Sequence, residues 1–270
     1  VSVATFPSWE TLPHERLSPS FDTVGRRTHV LRRIAHADPQ DPLLPPVDVV
    51  VASVRAVVQP ISLSVIEADP VRVRAGDRVD LTACVERLVG LGYERVDLVE
   101  RRGQVAVRGG IVDVFPPSEE HAVRIEFWGD DVEEIRHFSV TDQRSLDLLE
   151  HGLLAPAVRE LLLTDGVRMK ASELAIGAPG IAEMCQKIAA GIPVEGMESL
   201  TALLDTSMVT LVDLLPRGTQ IVVSEPERVA ARASDVMRTA QEFLEAGWHS
   251  AAVGADVPLE IGDHAAALAH

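Results

Sequence analysis

The alternation of apolar and polar residues is most regular between residues 104 and 138. Residues 104–115 and 123–128 are rich in valine, isoleucine and aromatic side chains, which predicts two β-strands. The two prolines that follow residue 115 end the first strand, because proline has no N–H to donate to a neighbouring strand. The Gly-Asp pair at 129–130 indicates a turn, and we expect a third short strand after it.

The same pattern assigns the faces of these strands, since successive side chains point to opposite sides of a sheet. Three residues form the apolar face of the second strand: Val123, Ile125 and Phe127. Arg124 and Trp128 therefore point outward, and parity also places Arg108 on the outward side of the first strand. Tryptophan and arginine are enriched at binding hot spots. The outward face is therefore either a partner-binding surface or a solvated arginine face, with the tryptophan lying flat under a neighbouring loop.

Residues 1–68 have the pattern of part of an α/β domain. A short strand at 1–6 precedes a helix at 22–34, and the apolar run at 47–53 is typical of a strand buried on both faces of a parallel sheet. One side of the helix carries four arginines: Arg26, Arg27, Arg32 and Arg33. These arginines either form a solvated helix face or contact a phosphate backbone.

Residues 69–155 have the pattern of a small α+β domain, in which a helix packs on a mostly antiparallel sheet. Asp80 is a suitable N-cap for a helix over residues 80–91, whose apolar residues recur at helical spacing. Short strands are also expected at two positions, 71–75 and 95–99. We expect residues 59–70 to be a linker and residues 142–149 to connect this domain to the next.

Residues 156–270 alternate strand and helix patterns, which predicts a third domain, of α/β type. Four strands are expected, at 160–163, 167–169, 209–214 and 220–223. Three helices are expected, at 182–190, 199–204 and from 225 to about 246, and the segment 261–270 shows no clear role. The predicted fold class is therefore two α/β domains that flank a small α+β domain.

Composition indicates which partners the chain can bind and in which cellular compartment it lies. Apolar residues make up 46% of the 270, enough for packed cores, and the net charge of −16 opposes binding to nucleic-acid phosphate. Cys84 and Cys185 share no motif and are expected to be buried thiols in a reducing cytoplasm. No apolar run of about 18 residues predicts a membrane span. Because the chain opens on a valine in a strand-like segment, we expect it to be a fragment.

No catalytic constellation stands out. A phosphate-binding loop of the form G-x-x-x-x-G-K-[ST] is absent, and the two lysines, Lys170 and Lys187, lie in other contexts. Glu119, Glu120 and His121 could hold a metal or act as acid and base, but their position in a hairpin loop favours a solvated charge cluster. We therefore predict no catalytic, cofactor or metal site, and we interpret the chain as a binding module.

Several motifs follow one another along the chain. They are FPSWETLPHERLSP at 6–19, RGGIVDVFPP at 108–117, RIEFWGD at 124–130, E-x-I-R-x-F at 133–138, TDQRS at 141–145 and GIPVEGMESL at 191–200. In this order they resemble the UvrB-homology module of the bacterial transcription-repair coupling factors (Mfd). The repair protein UvrB shares a looser form of the central motifs, whereas the first and last point to the coupling factors.

The resemblance implies a three-domain plan with the boundaries given above. Residues 1–68 would be a partial domain like domain 1a of UvrB, 69–155 would be like domain 2, and 156–270 would be like domain 1b. In the coupling factors this module has lost the residues for ATP hydrolysis that UvrB keeps, so it implies no cofactor here. ATP belongs to the motor region of the full-length family proteins, which are DNA translocases.

The resemblance also implies partners. The small domain is the UvrA-binding domain, and the residues at that contact, two arginines and an aromatic, correspond to Arg108, Arg124 and Trp128. RNA polymerase and DNA would be bound by other domains, and the carboxy-terminal region of the full-length protein would contact this module.

The hypothesis is a non-catalytic, cytoplasmic module that recruits UvrA to a stalled transcription complex, with no membrane partner. A truncated nucleotide-dependent repair enzyme of the UvrB type is one alternative. A DNA-binding module that uses the arginine-rich helix 22–34 is another.

Overall fold

A computed structural model describes residues 1–11 and 17–251, so the segment 261–270 lies outside the described residues. The α-helices are α1 (Phe21–Ala35), α2 (Val54–Val58), α3 (Leu63–Glu67), α4 (Leu81–Gly90), α5 (Asp165–Gly177), α6 (Ala182–Ala189), α7 (Thr201–Leu204) and α8 (Pro226–Ala251). The strands are β1 (Val3–Phe6), β2 (Val49–Ala52), β3 (Ile61–Ser62), β4 (Val71–Val73), β5 (Glu94–Arg95), β6 (Gln104–Arg108), β7 (Ile111–Val114), β8 (Ala122–Trp128), β9 (Asp131–Phe138), β10 (Ser145–Leu148), β11 (Leu153–Ala155) and β12 (Met208–Val209). This mixture confirms the predicted combination of α/β and α+β structure.

A six-stranded sheet lies at the centre of the chain, in the order β10-β9-β8-β7-β6-β5. All neighbours are antiparallel except β5 and β6, which confirms the mostly antiparallel sheet. Helix α4 begins where expected, with the Asp80 side chain accepting a hydrogen bond from the backbone N–H of Ala83 at 2.7 Å. Cys84, Val85 and Leu88 on this helix share one buried core with the inner face of the sheet.

The segment predicted as one strand over 104–115 is two strands, β6 and β7, joined by a turn at Gly109 and Gly110. Gly109 has φ of +62°, a backbone conformation that favours glycine. A Cβ atom on Gly110 would lie 2.6 Å from the carbonyl oxygen of Phe127, so this position has no room for a side chain. The turn at Gly129 is confirmed, although β9 after it is eight residues long. The expected connection at 142–149 is wrong, because β10 forms the edge of the sheet.

The amino-terminal segment pairs β1 with β2 in parallel, and α1 packs on one face of the pair. Ala4 and Phe6 are buried against the helix. The prediction that the second strand is buried on both faces is wrong, because Val49 and Val51 point away from the helix and are exposed.

The expected linker at 59–70 is also wrong. It contains β3 and α3, whose side chains Ile61 and Ile66 are buried in the same core as Phe6. Strand β3 pairs with β12, so a segment more than 140 residues downstream returns to this core. Short apolar runs beside proline are compatible with several conformations, and tertiary pairing decided this one.

The carboxy-terminal segment is more helical than predicted. Residues 160–163 form no strand, and residues 167–169 lie within α5, where Val167 and Ala171 are buried at helical spacing. Of the expected strand at 209–214 only Val209 is in a strand, and residues 220–223 are irregular, with three exposed apolar side chains. The helices near 182–190, 199–204 and 225–246 are confirmed. The three domain boundaries remain predictions.

A buried ion pair joins the amino-terminal helix to the chain after β11. The guanidinium group of Arg27 donates to both carboxylate oxygens of Glu160, at 2.5 and 3.1 Å, and the side chains are 0% and 2% exposed. Arg27 also donates to the carbonyl oxygen of Pro7 at 2.8 Å and lies over the ring of Phe6. Arg27 thus connects α1 and the loop after β1 to the segment that follows β11.

Both cysteines are free and buried, as predicted. Burial raises the pKa of the Cys84 thiol to about 11 and raises that of Cys185 as well. Within residues 1–11 and 17–251, no helix is both long and apolar enough to cross a membrane.

Candidate partner-binding surface

The outer face of the six-stranded sheet carries the residues that strand parity placed there. On β8, Val123, Ile125 and Phe127 are buried on the inner face, which confirms the predicted parity. Trp128 lies on the opposite face at the end of β8, and it is 75% exposed. A tryptophan with this much uncovered apolar area is a candidate for contact with a partner.

Two arginines of this face share one carboxylate that the sequence reasoning missed. Arg124 donates to Asp113 through Nε at 2.7 Å and through Nη2 at 2.9 Å, which is a bidentate pair. Arg108 donates to the same carboxylate through Nη2 at 2.5 Å. Strand register explains the meeting, because Arg124 on β8 lies directly opposite Asp113 on β7. The structure therefore brings Arg108 and Arg124 together.

Arg124 points outward as predicted, but it is not freely solvated. Its side chain is only 12% exposed, and its guanidinium carbon lies 4.6 Å from the ring centre of Phe138. The hydrogen bonds to Asp113 raise the pKa of Arg124 above its ordinary value, while burial acts in the opposite direction. Most of its guanidinium N–H groups already donate hydrogen bonds within the chain.

Arg108 and Trp128 are the accessible members of the set. The Arg108 side chain is 45% exposed, and in the described part of the chain its hydrogen bonds involve Nη2 alone. Its remaining N–H groups are therefore available to a carboxylate on a partner.

A second charge pair extends this face toward the sheet edge. Arg136 on β9 lies opposite Arg124 and is bonded to Glu134, which itself lies opposite Glu126 on β8. Leu148 on β10 continues the row beside Arg136 and is exposed. Sequence parity could not reveal these neighbours, since it assigns faces within one strand and not the register between strands.

The arginine-rich helix does not present the surface that its sequence suggested. Arg27, Arg32 and Arg33 are buried, and only Arg26 of the four is exposed. Arg32 donates to the backbone carbonyl of Ala68 at 2.7 Å, and Arg33 donates to that of Pro45 at 2.7 Å. These guanidinium groups satisfy carbonyl oxygens of surrounding loops, so both the solvated face and the phosphate contact are wrong for three of the four arginines.

The candidate metal cluster near Glu119 is a local contact between a carboxylate and an imidazole. Glu119 lies 3.2 Å from Nε2 of His137, and the rings of His121 and His137 meet edge to face. Among residues 1–11 and 17–251, no group of three or more His, Cys, Asp or Glu side chains could hold a metal ion.

Comparison with known proteins places this surface in a defined domain. Residues 71–159 match the model of a family described as the UvrB interaction domain. The chain is 49% identical to the transcription-repair-coupling factor of Mycobacterium tuberculosis over 263 residues, which is 94% of this chain and 21% of that protein. The corresponding protein of Myxococcus xanthus is 34% identical, over 83% of this chain and 19% of that protein.

A shorter match is to UvrABC system protein B of Geobacillus kaustophilus, with 40% identity over 88 residues, 32% of this chain and 13% of that protein. The chain thus spans about a fifth of the length of the coupling factors that it matches. The match to the coupling factors extends beyond the interaction domain, whereas this match to UvrB is confined to about a third of the chain. The chain therefore belongs to the transcription-repair coupling factor family, and it corresponds to the UvrB-like module of those proteins.

Proposed function

We propose that this chain is a non-catalytic module that binds UvrA and so links a stalled transcription complex to nucleotide excision repair. The observation that supports it best is that the exposed Trp128 and the accessible guanidinium group of Arg108 both lie on the outer face of a UvrB interaction domain. Arg124 completes the proposed site from a more buried position.

The chemistry of the surface indicates what kind of partner surface would fit it. Trp128 offers a large apolar area, which a shallow apolar depression on UvrA would cover. Arg108 offers planar N–H donors, which pair in bidentate geometry with a carboxylate in a way that lysine does not. The outer face also carries Glu126 and Glu134, so a uniformly acidic partner surface would be repelled at one side.

The proposal is tested by calorimetric titration of this chain with UvrA. We expect saturable binding that Arg108→Ala weakens by about tenfold or more, which corresponds to a loss of about 1.4 kcal/mol in binding free energy. Ile176→Ala is the matched control, because Ile176 is an exposed apolar residue on α5, outside the sheet. Absence of binding by the unmodified chain would reject the proposal.

The rival interpretation as a truncated UvrB-type enzyme predicts nucleotide hydrolysis. We propose that the chain has no such activity, because its sequence lacks a lysine-bearing phosphate loop. ATP turnover that persists through repurification and disappears on substitution of one residue of this chain would favour the enzyme.

Direct DNA binding by the chain is expected to be weak. The net charge of −16 opposes it, and the buried arginines of α1 are not available to phosphate. In fluorescence anisotropy with duplex DNA near 0.15 M salt, we expect a Kd no tighter than the ~10⁻⁴–10⁻⁶ M of non-specific binding. Sub-micromolar affinity with a steep salt dependence would favour a DNA-binding module instead.

Within a full-length coupling factor, we propose that a contact with the carboxy-terminal region partly covers this surface. An exposed Trp–Arg patch favours adventitious association, which gives a physical reason for masking. RNA polymerase, DNA and ATP would be bound by other parts of that protein, in the cytoplasm. Equal UvrA affinity for the full-length protein and for this chain would exclude masking.

A further inference from the structure

Asp113 occupies the centre of the outer face. It lies on β7 between Ala106 on β6 and Arg124 on β8, and its side chain is 1% exposed. A carboxylate buried to this extent is unfavourable unless charged donors compensate for the lost hydration. The groups that contact Asp113 must therefore compensate for its burial.

Both oxygens of Asp113 accept hydrogen bonds from arginines of the proposed site. Oδ1 accepts from Nε of Arg124, and Oδ2 accepts from Nη2 of Arg124 and from Nη2 of Arg108. The carboxylate of Asp113 thus pairs with two guanidinium groups. The three side chains together keep a net charge of +1, which is available to a partner. Because Asp113 is almost fully covered, a partner does not reach it directly.

The consequence concerns conformational freedom. A free arginine side chain has many rotamers, and ordering it during binding lowers affinity. Here the Nε and Nη2 groups of Arg124 are fixed on Asp113, and the guanidinium of Arg108 is tethered through one nitrogen. The arginines are therefore ordered before the partner arrives.

We propose that Asp113 is a positioning residue of the UvrA-binding surface, which holds Arg108 and Arg124 in the geometry that meets the partner. The inference rests on the proposed function and adds to it a residue that itself makes no contact with UvrA. The inference also gives the two arginines different roles. Arg108 contacts the partner directly, whereas Arg124 shapes the surface.

The test compares Asp113→Asn with the unmodified chain. The amide keeps the volume, but it removes the negative charge and replaces one of the two acceptor oxygens by an NH₂ donor, so the two arginines no longer share a carboxylate. In calorimetric titration with UvrA, we expect affinity to fall about tenfold, because two arginine side chains must then be ordered on binding. In NMR spectra we expect the Nε–Hε signal of Arg124 to shift and to exchange faster with water.

The outcomes distinguish this inference from the proposed function. If a folded Asp113→Asn variant binds within twofold of the unmodified chain while Trp128→Ala and Arg108→Ala bind weakly, the positioning role is wrong and the surface stands. If none of the three variants weakens binding, both are wrong.

One measurement does not depend on whether the variant folds. In the unmodified free chain, the Nε–Hε group of Arg124 should exchange with water far more slowly than that of Arg78, whose side chain is 78% exposed and which pairs with Asp130 through Nη2 rather than Nε. Equal exchange rates for the two arginines would show that Asp113 does not hold Arg124, and would overturn the inference.

Discussion

Replacing Trp128 by alanine is expected to weaken UvrA binding by about thirtyfold or more, because truncating a hot-spot residue typically costs about 2 kcal/mol. The midpoint of thermal unfolding should hardly change, since the indole is 75% exposed and contributes little to the core. Calorimetric titration and thermal melts of the same preparation measure the two effects separately.

Phe127→Ala is the matched variant, one residue earlier on the same strand. Its ring is buried in the core under the sheet, so its removal should destabilise the chain by about 3–5 kcal/mol. UvrA affinity of the folded fraction should change far less than in Trp128→Ala. If Trp128→Ala unfolded the chain and Phe127→Ala had no effect on stability, the assigned faces would be inverted. Normal UvrA binding by a folded Trp128→Ala variant would instead remove Trp128 from the site.

The second large effect is expected at the buried pair of Arg27 and Glu160. Glu160→Gln keeps the volume but leaves the guanidinium charge of Arg27 buried without a counter-charge, which should destabilise the chain by about 3–5 kcal/mol. The measurement is the free energy of unfolding by chemical denaturation. Loss of this contact should release α1 from the segment after β11, so amide exchange in α1 should also increase.

Two further variants show whether the buried charge is the cause. Arg26→Ala alters the neighbouring exposed arginine of the same helix and should change stability by no more than about 0.5 kcal/mol. Arg27→Met with Glu160→Leu removes both charges, and it should be more stable than Glu160→Gln alone, because no uncompensated ion remains. A Glu160→Gln variant as stable as the unmodified chain would show that the pair contributes nothing.

The local sequence was sufficient for elements whose determinants lie within one segment. Helix α4 was predicted because its N-cap and its apolar spacing are both local, and α8 because its helical pattern is long. The faces of β8 followed from period-two alternation, which placed Arg124 and Trp128 outward and Phe127 inward. The Gly109–Gly110 turn is also marked in the sequence, because a Gly-Gly pair between two apolar runs is a hairpin signal.

Elements that depend on distant pairing were not predictable in this way. The segment 59–70 has little local pattern, and its short strand exists because β12 pairs with it from across the chain. Residues 167–169 (Val-Arg-Met) alternate apolar and polar residues over only three positions, which is compatible with strand or helix, and packing against α6 and α7 made them helical. Short apolar runs carry too little information to decide between these conformations by themselves.

By itself, the sequence determined which side chains of the central strands point outward, because alternation within a strand needs no knowledge of its neighbours. Only the tertiary structure decided what those side chains do. Strand register placed Asp113 opposite Arg124 and within reach of Arg108, so one arginine is largely covered and the other remains accessible. Long-range packing likewise buried Arg27 and Arg32 of α1, since their partners, the carboxylate of Glu160 and the carbonyl of Ala68, lie 133 and 36 residues away in sequence. Contacts of this kind depend on how the strands and loops are placed in space, and no local pattern of residues records that placement.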